Sequence, residues 1–380
     1  MAEAAVDAAV PVKFVLSHAL SGGSERYVEL LLDHLDPEWV RGVVSLGDGP
    51  FVGRLRAGGY RVDVVPTGRR ASMLRSAWRL RRLLRAAPPA ALHANGVKAA
   101  LVCVLATPRT GIPVIWVKHD FSWDGPLAWA IAARCAQVVG VSEAVTATFR
   151  GRARERVHVV HNGTPELVRD RAASRGLVSA LAGGGGGPVV VLVGRLHPAK
   201  GQIELVEAAP RVLERHPDAR FLLVGAPDPS QPGYAESVRA RVEQLGLGGA
   251  VTIGARHPDG PGVMAGADVV AMPSVPDERG MGREGFGLVG IEAMAVGTPV
   301  VGYAGGALPE VLGDCAELVP EGDRDALADA IARLLSDPER REALARRGRE
   351  HVAARFTLDA TVAAMRERYR AAAGRRAGAR

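Results

Sequence analysis

Aromatic residues are scarce in this sequence. Phe, Trp and Tyr together make up 4 % of its 380 residues. Proteins that bind single-stranded nucleic acid stack the bases on aromatic side chains, and so few aromatics do not supply such a surface. We therefore expect no nucleic-acid partner, although the formal net charge is +7.

Cysteine is also rare. Cys103, Cys135 and Cys315 are far apart in sequence and form none of the close pairs that zinc and redox sites use. We therefore predict reduced thiols in the protein core and no metal site.

Long apolar runs are missing as well. The sequence has no run of about eighteen uncharged apolar residues, the length that a membrane-spanning helix needs. Its first residues, Met-Ala-Glu-Ala-Ala-Val-Asp, carry acids where a secretory signal peptide has positive charges. We therefore expect a cytoplasmic protein.

One segment combines positive charge with an apolar face. Seven arginines between Arg69 and Arg85 alternate with apolar residues at helical spacing. Such a helix lies on an anionic membrane with its arginines on the phosphates, or it packs on its own domain with a solvated arginine face. Both interpretations remain open, so peripheral contact with the inner face of a membrane is one expected interaction.

The chain alternates between β-rich apolar runs and helical patterns, which is typical of parallel sheets covered by helices. A length of 380 residues, 47 % of them hydrophobic, predicts two domains. The alternation pauses between Asn162 and Pro188, around the flexible glycine run 183–187. We predict α/β domains at residues 1–170 and 188–357. The predicted strands are 12–16, 42–46, 62–65, 113–117 and 137–141 in the first domain, and 189–193, 220–224, 251–253, 269–272 and 299–301 in the second.

Two cations flank the loop after the first strand of the second domain. Arg195 and Lys200 follow the apolar run 189–193 and precede a helix beginning near Gly201. Open parallel sheets bind ligands at the carboxyl ends of their strands, and fixed cations near a helix N-terminus bind phosphate groups. The two residues predict a diphosphate site, with two surface cations on a loop as the alternative.

Two carboxylates, Glu284 and Glu292, enclose the sequence Gly-Phe-Gly-Leu-Val-Gly-Ile. Paired acids suggest a glycosidase, which places two carboxylates across one bond. Here, Gly285 and Gly287 keep Glu284 on a loop, whereas Glu292 lies about one turn inside a helix that ends before Gly297. The acids then contact different parts of one long ligand, such as a nucleotide sugar. For Glu292, an acid on a helix surface is the alternative.

The ordered set of motifs resembles the family-4 retaining glycosyltransferases of the GT-B fold. This resemblance spans nearly the whole chain and implies two Rossmann-like parallel-sheet domains that face each other across a cleft. It also implies that residues 358–380 form a C-terminal helix crossing back to the first domain. Besides Gly-Arg-x4-Lys-Gly and Glu-x7-Glu, the matching motifs are Ser21-Gly22-Gly23, His119-Asp120, Gly140-Val-Ser142, His161-Asn162-Gly163, Pro273-Ser274, and Gly305-Gly306 with Glu310.

The resemblance assigns site roles in both domains. The residues at Arg195 and Lys200 bind the diphosphate of a nucleotide sugar. The residue at Glu292 holds its ribose, and the one at Glu284 contacts the sugar hydroxyls. His119 faces the sugar near its anomeric carbon, with a core histidine as the alternative. The remaining donor contacts, made largely by the backbone, fall on Gly22, Gly23, Ile253, Gly285, Phe286, Gly287 and Leu288.

The reaction that the resemblance implies is transfer of a hexosyl group to an acceptor hydroxyl with retention of configuration. Arginine, lysine and backbone amides stabilise the leaving diphosphate as a metal does in other transferases. We therefore expect no metal and no cofactor. A UDP-sugar is the preferred donor over a GDP-sugar, and the acceptor is a lipid or cell-envelope glycan or a small secondary metabolite. The segment Val275–Arg283 is longer than the usual family loop.

Two rival functions fit the same architecture. One is a GT-B-fold sugar-nucleotide epimerase, and the other is a catalytically silent protein that binds nucleotide sugars. A nicotinamide-dependent dehydrogenase is disfavoured because the first strand of neither domain is followed by the Gly-x-Gly-x-x-Gly fingerprint.

Overall fold

The computed structural model describes residues 9–20, 22–68, 70–277 and 282–377. The chain forms two compact units: unit 1 contains Met1–Asn162 and Leu358–Arg380, and unit 2 contains Gly163–Thr357. The acidic start of the chain, Ser21, Arg69 and the middle of the segment Val275–Arg283 lie outside the described residues.

Unit 1 is built on a parallel sheet. Its strands are β1 (Val12–Leu16), β2 (Val40–Ser45), β3 (Val62–Val64), β4 (Ala91–Asn95), β5 (Val114–Lys118), β6 (Gln137–Gly140) and β7 (Val157–Val159). Its helices are α1 (Gly23–His34), α2 (Pro50–Ala57), α3 (Arg70–Ala86), α4 (Val97–Ala106), α5 (Pro126–Ala132), α6 (Glu143–Thr146) and α15 (Leu358–Ala377). The strand order is β3-β2-β1-β4-β5-β6-β7. The central strands β1, β4 and β5 are buried at every position because helices cover both faces.

The last helix, α15, packs on unit 1. Tyr369 is fully buried, and its hydroxyl lies 2.7 Å from Nδ1 of His93 on β4. Burial lowers the pKa of His93 to about 3, so its ring is neutral at physiological pH and shares one hydrogen bond with the tyrosine hydroxyl. The tyrosine ring also meets Phe14 of β1 edge-on, at 6.4 Å between centroids. Residues from the end of the chain therefore complete the core around the first strands.

Unit 2 is built on a second parallel sheet. Its strands are β8 (Val189–Val193), β9 (Arg220–Val224), β10 (Val251–Gly254), β11 (Val269–Met272), β12 (Val300–Tyr303) and β13 (Glu317–Val319). Its helices are α7 (Arg171–Leu181), α8 (Gln202–Arg215), α9 (Tyr234–Gln244), α10 (Gly260–Gly266), α11 (Leu288–Ala295), α12 (Leu308–Leu312), α13 (Arg324–Ser336) and α14 (Pro338–Arg355). The strand order is β10-β9-β8-β11-β12-β13.

Each sheet places its first strand in the middle and adds later strands on both sides. This is the Rossmann-like order, so the predicted α/β class with two parallel-sheet domains is confirmed. The order reverses between β1 and β4 in unit 1 and between β8 and β11 in unit 2. Ligands of open parallel sheets bind at the carboxyl ends of such strands, which gives each unit one expected site.

Two further sequence expectations concern the core and the surface. The prediction of reduced core thiols is confirmed, since Cys103, Cys135 and Cys315 are buried and unpaired. Within the described part of the chain, no helix has both the length and the apolar character needed to cross a bilayer.

Candidate functional site

In unit 2, the turn from β8 to α8 brings two cations to the switch point. Gly201 precedes α8 in the left-handed conformation, with φ 68°. A Cβ at this position would lie 1.8 Å from the carbonyl oxygen of Pro273, so no residue with a side chain fits without moving the backbone. This close approach brings Lys200 next to the chain that leaves β11.

Lys200 forms an ion pair with Glu284. The ammonium nitrogen lies 2.6 Å from Oε1 of the carboxylate, and Ser274 donates its hydroxyl to the same oxygen at 2.7 Å. Burial alone would raise the pKa of Glu284, but the Lys200 ammonium and the Ser274 hydrogen bond hold it below its ordinary value. Glu284 is therefore ionised. The residue predicted to bind the diphosphate, Lys200, and the residue predicted to bind the sugar, Glu284, are in direct contact.

Arg195 is paired with a carboxylate that was not predicted. Its guanidinium forms an ion pair with Asp228, whose side chain is fully buried and accepts the Ser230 amide at 2.9 Å and the Ser230 hydroxyl at 2.7 Å. Burial raises the pKa of Asp228, but the bonds from Ser230 and the charge of Arg195 outweigh this effect and lower it. The sequence offers only one signal for Asp228, which is its position. It follows β9 much as Arg195 follows the neighbouring β8.

The glycine-containing segment between Glu284 and Glu292 leads into α11. Gly287 precedes this helix with φ 94°, and a Cβ there would lie 2.6 Å from the Leu308 side chain. Gly287 has no side chain to cap α11, and Gly290 and Ile291 already donate their amides to the Gly287 carbonyl, so the first helical amides without an intrahelical acceptor are those of Leu288 and Val289. Glu292 lies one turn further along and is half-buried.

Two other predicted residues of unit 2 have side chains that pack outside the charged cluster. Phe286 is buried, and its ring packs edge-on against Phe356 at 5.6 Å, which leaves only its backbone for a ligand. Ile253 is half-buried on β10, the outermost strand of the sheet, and β9 separates it from β8.

In unit 1, the glycine motif lies at the start of α1. Gly22 precedes the helix in an extended conformation, and Gly23 is the first helical residue. Glu25 follows in the first turn, 3 % exposed, with its carboxylate 2.9 Å from Nδ1 of His18 and 3.0 Å from the Ser24 hydroxyl. Neither His18 nor Glu25 was predicted, although an acid two residues after a glycine pair, in the first turn of a helix, is a visible signal.

His119 directly follows β5 in unit 1. Its Nε2 lies 2.6 Å from Oδ1 of Asn95 at the end of β4, and its ring packs edge-on against Tyr27 of α1 at 5.0 Å. Burial lowers the pKa of His119 to about 4, so the ring is neutral and donates its Nε2 proton to Asn95. These contacts hold the histidine against the end of β4 and against α1, beside the switch point of its sheet.

Two family models match this chain. The one described as "Glycosyl transferases group 1" matches residues 181–351, and the one described as "Glycosyltransferase Family 4" matches residues 21–166. Together they cover most of both units.

Several curated relatives are similar to this chain. A GDP-mannose-dependent monoacylated alpha-(1-6)-phosphatidylinositol monomannoside mannosyltransferase from Corynebacterium glutamicum is 35 % identical over 199 residues, which are 52 % of this chain and 50 % of that protein. A D-inositol 3-phosphate glycosyltransferase from Saccharomonospora viridis is 30 % identical over 311 residues, covering 74 % of this chain and 70 % of that one. The chain spans about half the length of most of the curated relatives it matches.

Solved structures extend the similarity over nearly the whole chain. The structure of Anabaena Alr3699/HepE in complex with UDP and glucose is 25 % identical, with a TM-score of 0.82, and the match covers 94 % of this chain and 98 % of that one. The motifs, both family models and this shared architecture agree. The chain belongs to the family-4 glycosyltransferases, or glycosyl transferases group 1, and has their GT-B fold, as the motifs predicted.

Proposed function

We propose that the protein transfers a hexosyl group from a nucleotide sugar to an acceptor hydroxyl, with retention of configuration. The observation that carries this proposal is the cluster of Lys200, Glu284 and Arg195 at the switch point of unit 2. Two cations after β8, together with a carboxylate on the loop that leads into α11, suit a ligand that carries both a diphosphate and hydroxyl groups.

The proposed chemistry is electrostatic. Cleavage of the bond between the anomeric carbon and the phosphate oxygen leaves negative charge on the diphosphate. Arg195, Lys200 and the amides that begin α11 stabilise this charge without a metal. Glu284 accepts hydrogen bonds from the sugar hydroxyls and Glu292 from the ribose. By resemblance, Gly22, Gly23 and His119 supply the contacts from unit 1, and the acceptor proton passes to the departing phosphate.

We propose a UDP-hexose as donor. The Anabaena structure that holds UDP and glucose matches this chain over nearly its full length, whereas the relatives named for GDP-mannose match about half of it. The structural similarity supports UDP because it includes both units.

Thermal-shift screening tests the proposed donor. A ligand present at about 100 times its Kd stabilises the folded state by about 2.7 kcal/mol, so UDP-glucose or another UDP-hexose should raise the Tm by about 5 °C or more. A larger shift with GDP-mannose would show that the donor carries guanine instead of uracil. No shift with any nucleotide sugar would contradict the proposal. Formation of an epimer from a UDP-sugar without an acceptor would favour the rival epimerase.

We further propose that the acceptor lies at an anionic membrane. Helix α3 buries Ala77, Leu80 and Leu84 against its own unit but leaves Leu74 66 % and Trp78 57 % exposed. The helix contains no acidic residue. The exposed arginines beside this apolar pair are Arg75, Arg79, Arg82 and Arg85.

This surface, Leu74 and Trp78 with the four exposed arginines, suits a lipid headgroup region. Arg82 lies over the ring of Trp78 at 4.9 Å from its centroid, so charge and apolar area occur together. A solvated arginine face alone does not explain two large exposed apolar side chains, whereas insertion of apolar groups between anionic headgroups uses both. The relative from Corynebacterium glutamicum is named for a phosphatidylinositol mannoside acceptor, which is a lipid.

Vesicle sedimentation tests the membrane proposal. Vesicles with anionic phospholipid should retain the protein. The double variant Leu74→Ser/Trp78→Ser should partition at least about tenfold less, because it lacks the two exposed apolar side chains that would insert into the membrane. Val168→Ser is the matched control. Val168 is an apolar residue of unit 2 that is 75 % exposed, and this variant should bind like the wild type. Equal retention of the double variant, or equal binding to neutral vesicles, would contradict the proposal and favour a soluble acceptor.

A further inference from the structure

The charges at the switch point of unit 2 neutralise one another. Arg195 pairs with Asp228, and Lys200 pairs with Glu284. Each of the two cations predicted to bind phosphate therefore already has an anionic partner within the protein. A diphosphate that approaches this cluster meets two carboxylates as well as two cations.

The two ion pairs differ in how firmly the carboxylate is held. Asp228 is fully buried, and Ser230 binds one of its oxygens through both amide and hydroxyl while Arg195 binds the other. Glu284 is 13 % exposed, and its two side-chain partners, Lys200 and Ser274, both bind Oε1. Asp228 has no room to turn, whereas Glu284 can exchange partners by rotating its side chain.

The backbone at Glu284 is fixed while its side chain is not. The Glu284 carbonyl accepts the Ala307 amide at 2.8 Å, and Gly306 packs so closely that a Cβ there would lie 2.4 Å from the same carbonyl oxygen. A change at Glu284 is therefore a side-chain rotation about a stationary backbone. Such a rotation needs no rearrangement of the loop.

We propose that Glu284 occupies the place on Lys200 that the donor diphosphate takes, and that donor binding exchanges the two. The diphosphate displaces the carboxylate from Lys200, and the carboxylate turns to the hydroxyls of the sugar. This inference rests on the proposed function, because it assumes that unit 2 binds a nucleotide sugar. Glu284 is then a specificity-determining residue in addition to a sugar ligand.

The exchange favours complete donors over the free nucleoside diphosphate. A nucleoside diphosphate must break the Lys200–Glu284 pair, and it brings no sugar hydroxyls to satisfy the displaced carboxylate, which costs free energy in a part-buried site. A nucleotide sugar supplies those hydroxyls, and hydrogen bonds to an ionised carboxylate are strong. After transfer, the return of Glu284 to Lys200 helps to expel the nucleoside diphosphate product.

The test compares UDP and UDP-glucose by titration calorimetry. In Glu284→Gln the amide keeps the shape and hydrogen-bonding capacity of the side chain but no longer neutralises Lys200. We expect this variant to bind UDP at least about threefold more tightly than the wild type, and its preference for UDP-glucose over UDP should fall. Ser274→Ala, which loosens the same carboxylate, should change UDP affinity in the same direction by a smaller factor.

Glu207→Gln is the matched control. It removes the same single charge from an ion pair of unit 2, the pair between Glu207 and Arg241, and should leave UDP affinity unchanged. Weaker or equal UDP binding by a Glu284→Gln variant whose circular dichroism and Tm match the wild type would overturn the inference. Failure of the wild type to bind any of the four ligands UDP, GDP, UDP-glucose and GDP-mannose would instead contradict the proposed function. If the donor proves to be a GDP-sugar, the same comparison is made with GDP and GDP-mannose.

Discussion

Gly201→Ala is expected to lower the free energy of unfolding of unit 2 by about 3 kcal/mol or more. Gly201 has φ 68°, which L residues rarely adopt, and an added Cβ would lie 1.8 Å from the carbonyl oxygen of Pro273. The two backbones must separate to admit it, which disturbs the contact between the β8–α8 turn and the end of β11. Urea denaturation followed by circular dichroism measures the loss as a lower midpoint.

Two other glycines of unit 2 separate crowding from conformational strain. Gly233 has φ 90° with no neighbouring atom within 4 Å of an added Cβ, so Gly233→Ala should lose only about 1 kcal/mol. Gly248 has open space and an ordinary backbone conformation, so Gly248→Ala should be nearly neutral. A Gly201→Ala midpoint as high as that of Gly248→Ala would show that the turn does not need the close approach.

Lys200→Ala is expected to weaken binding of UDP-glucose by about 2 kcal/mol or more, which is about 30-fold. The substitution removes a cation from the diphosphate and leaves the Glu284 carboxylate as an uncompensated negative charge beside it. Titration calorimetry measures the affinity directly and needs no acceptor.

A cation of the same unit serves as the control for this experiment. Arg211 forms an exposed ion pair with Asp329, and Arg211→Ala changes the net charge by the same amount. Its donor affinity should equal that of the wild type. Similar affinities for Lys200→Ala and the wild type would remove Lys200 from the site, and the proposed phosphate contact with it.

The sequence predicted most strands because their apolar runs are rich in valine, leucine and isoleucine. β8, β9 and β11 have the predicted bounds. It missed β4, the sequence Ala-Leu-His-Ala-Asn, which contains no β-branched residue. His93 and Asn95 are buried there all the same, because tertiary contacts override local preference. The other missed strands, β7 and β13, are three residues each. β3 is as short, but it lies in the valine-rich run 62–65, which made it recognisable.

Motifs located the candidate site but did not predict its pairings. Lys200 and Glu284 were assigned to different parts of a ligand, yet they bind each other across 84 positions of sequence. Asp228 lies in a loop without any recognised motif, and its role follows only from the packing of β9 beside β8. Residue types indicate which groups a ligand can meet, whereas partners within the protein depend on which strands become neighbours.

The return of α15 to unit 1 has a consequence for synthesis on the ribosome. Residues of unit 2 are made before Tyr369, which covers His93 and Phe14 in the core of unit 1. At about 5–20 residues per second, roughly 10 to 40 s pass between the emergence of Asn162 and that of the end of α15. During this interval unit 2 can fold, while the apolar surface of β1 and β4 stays uncovered. The first unit to be translated is therefore the last to be completed.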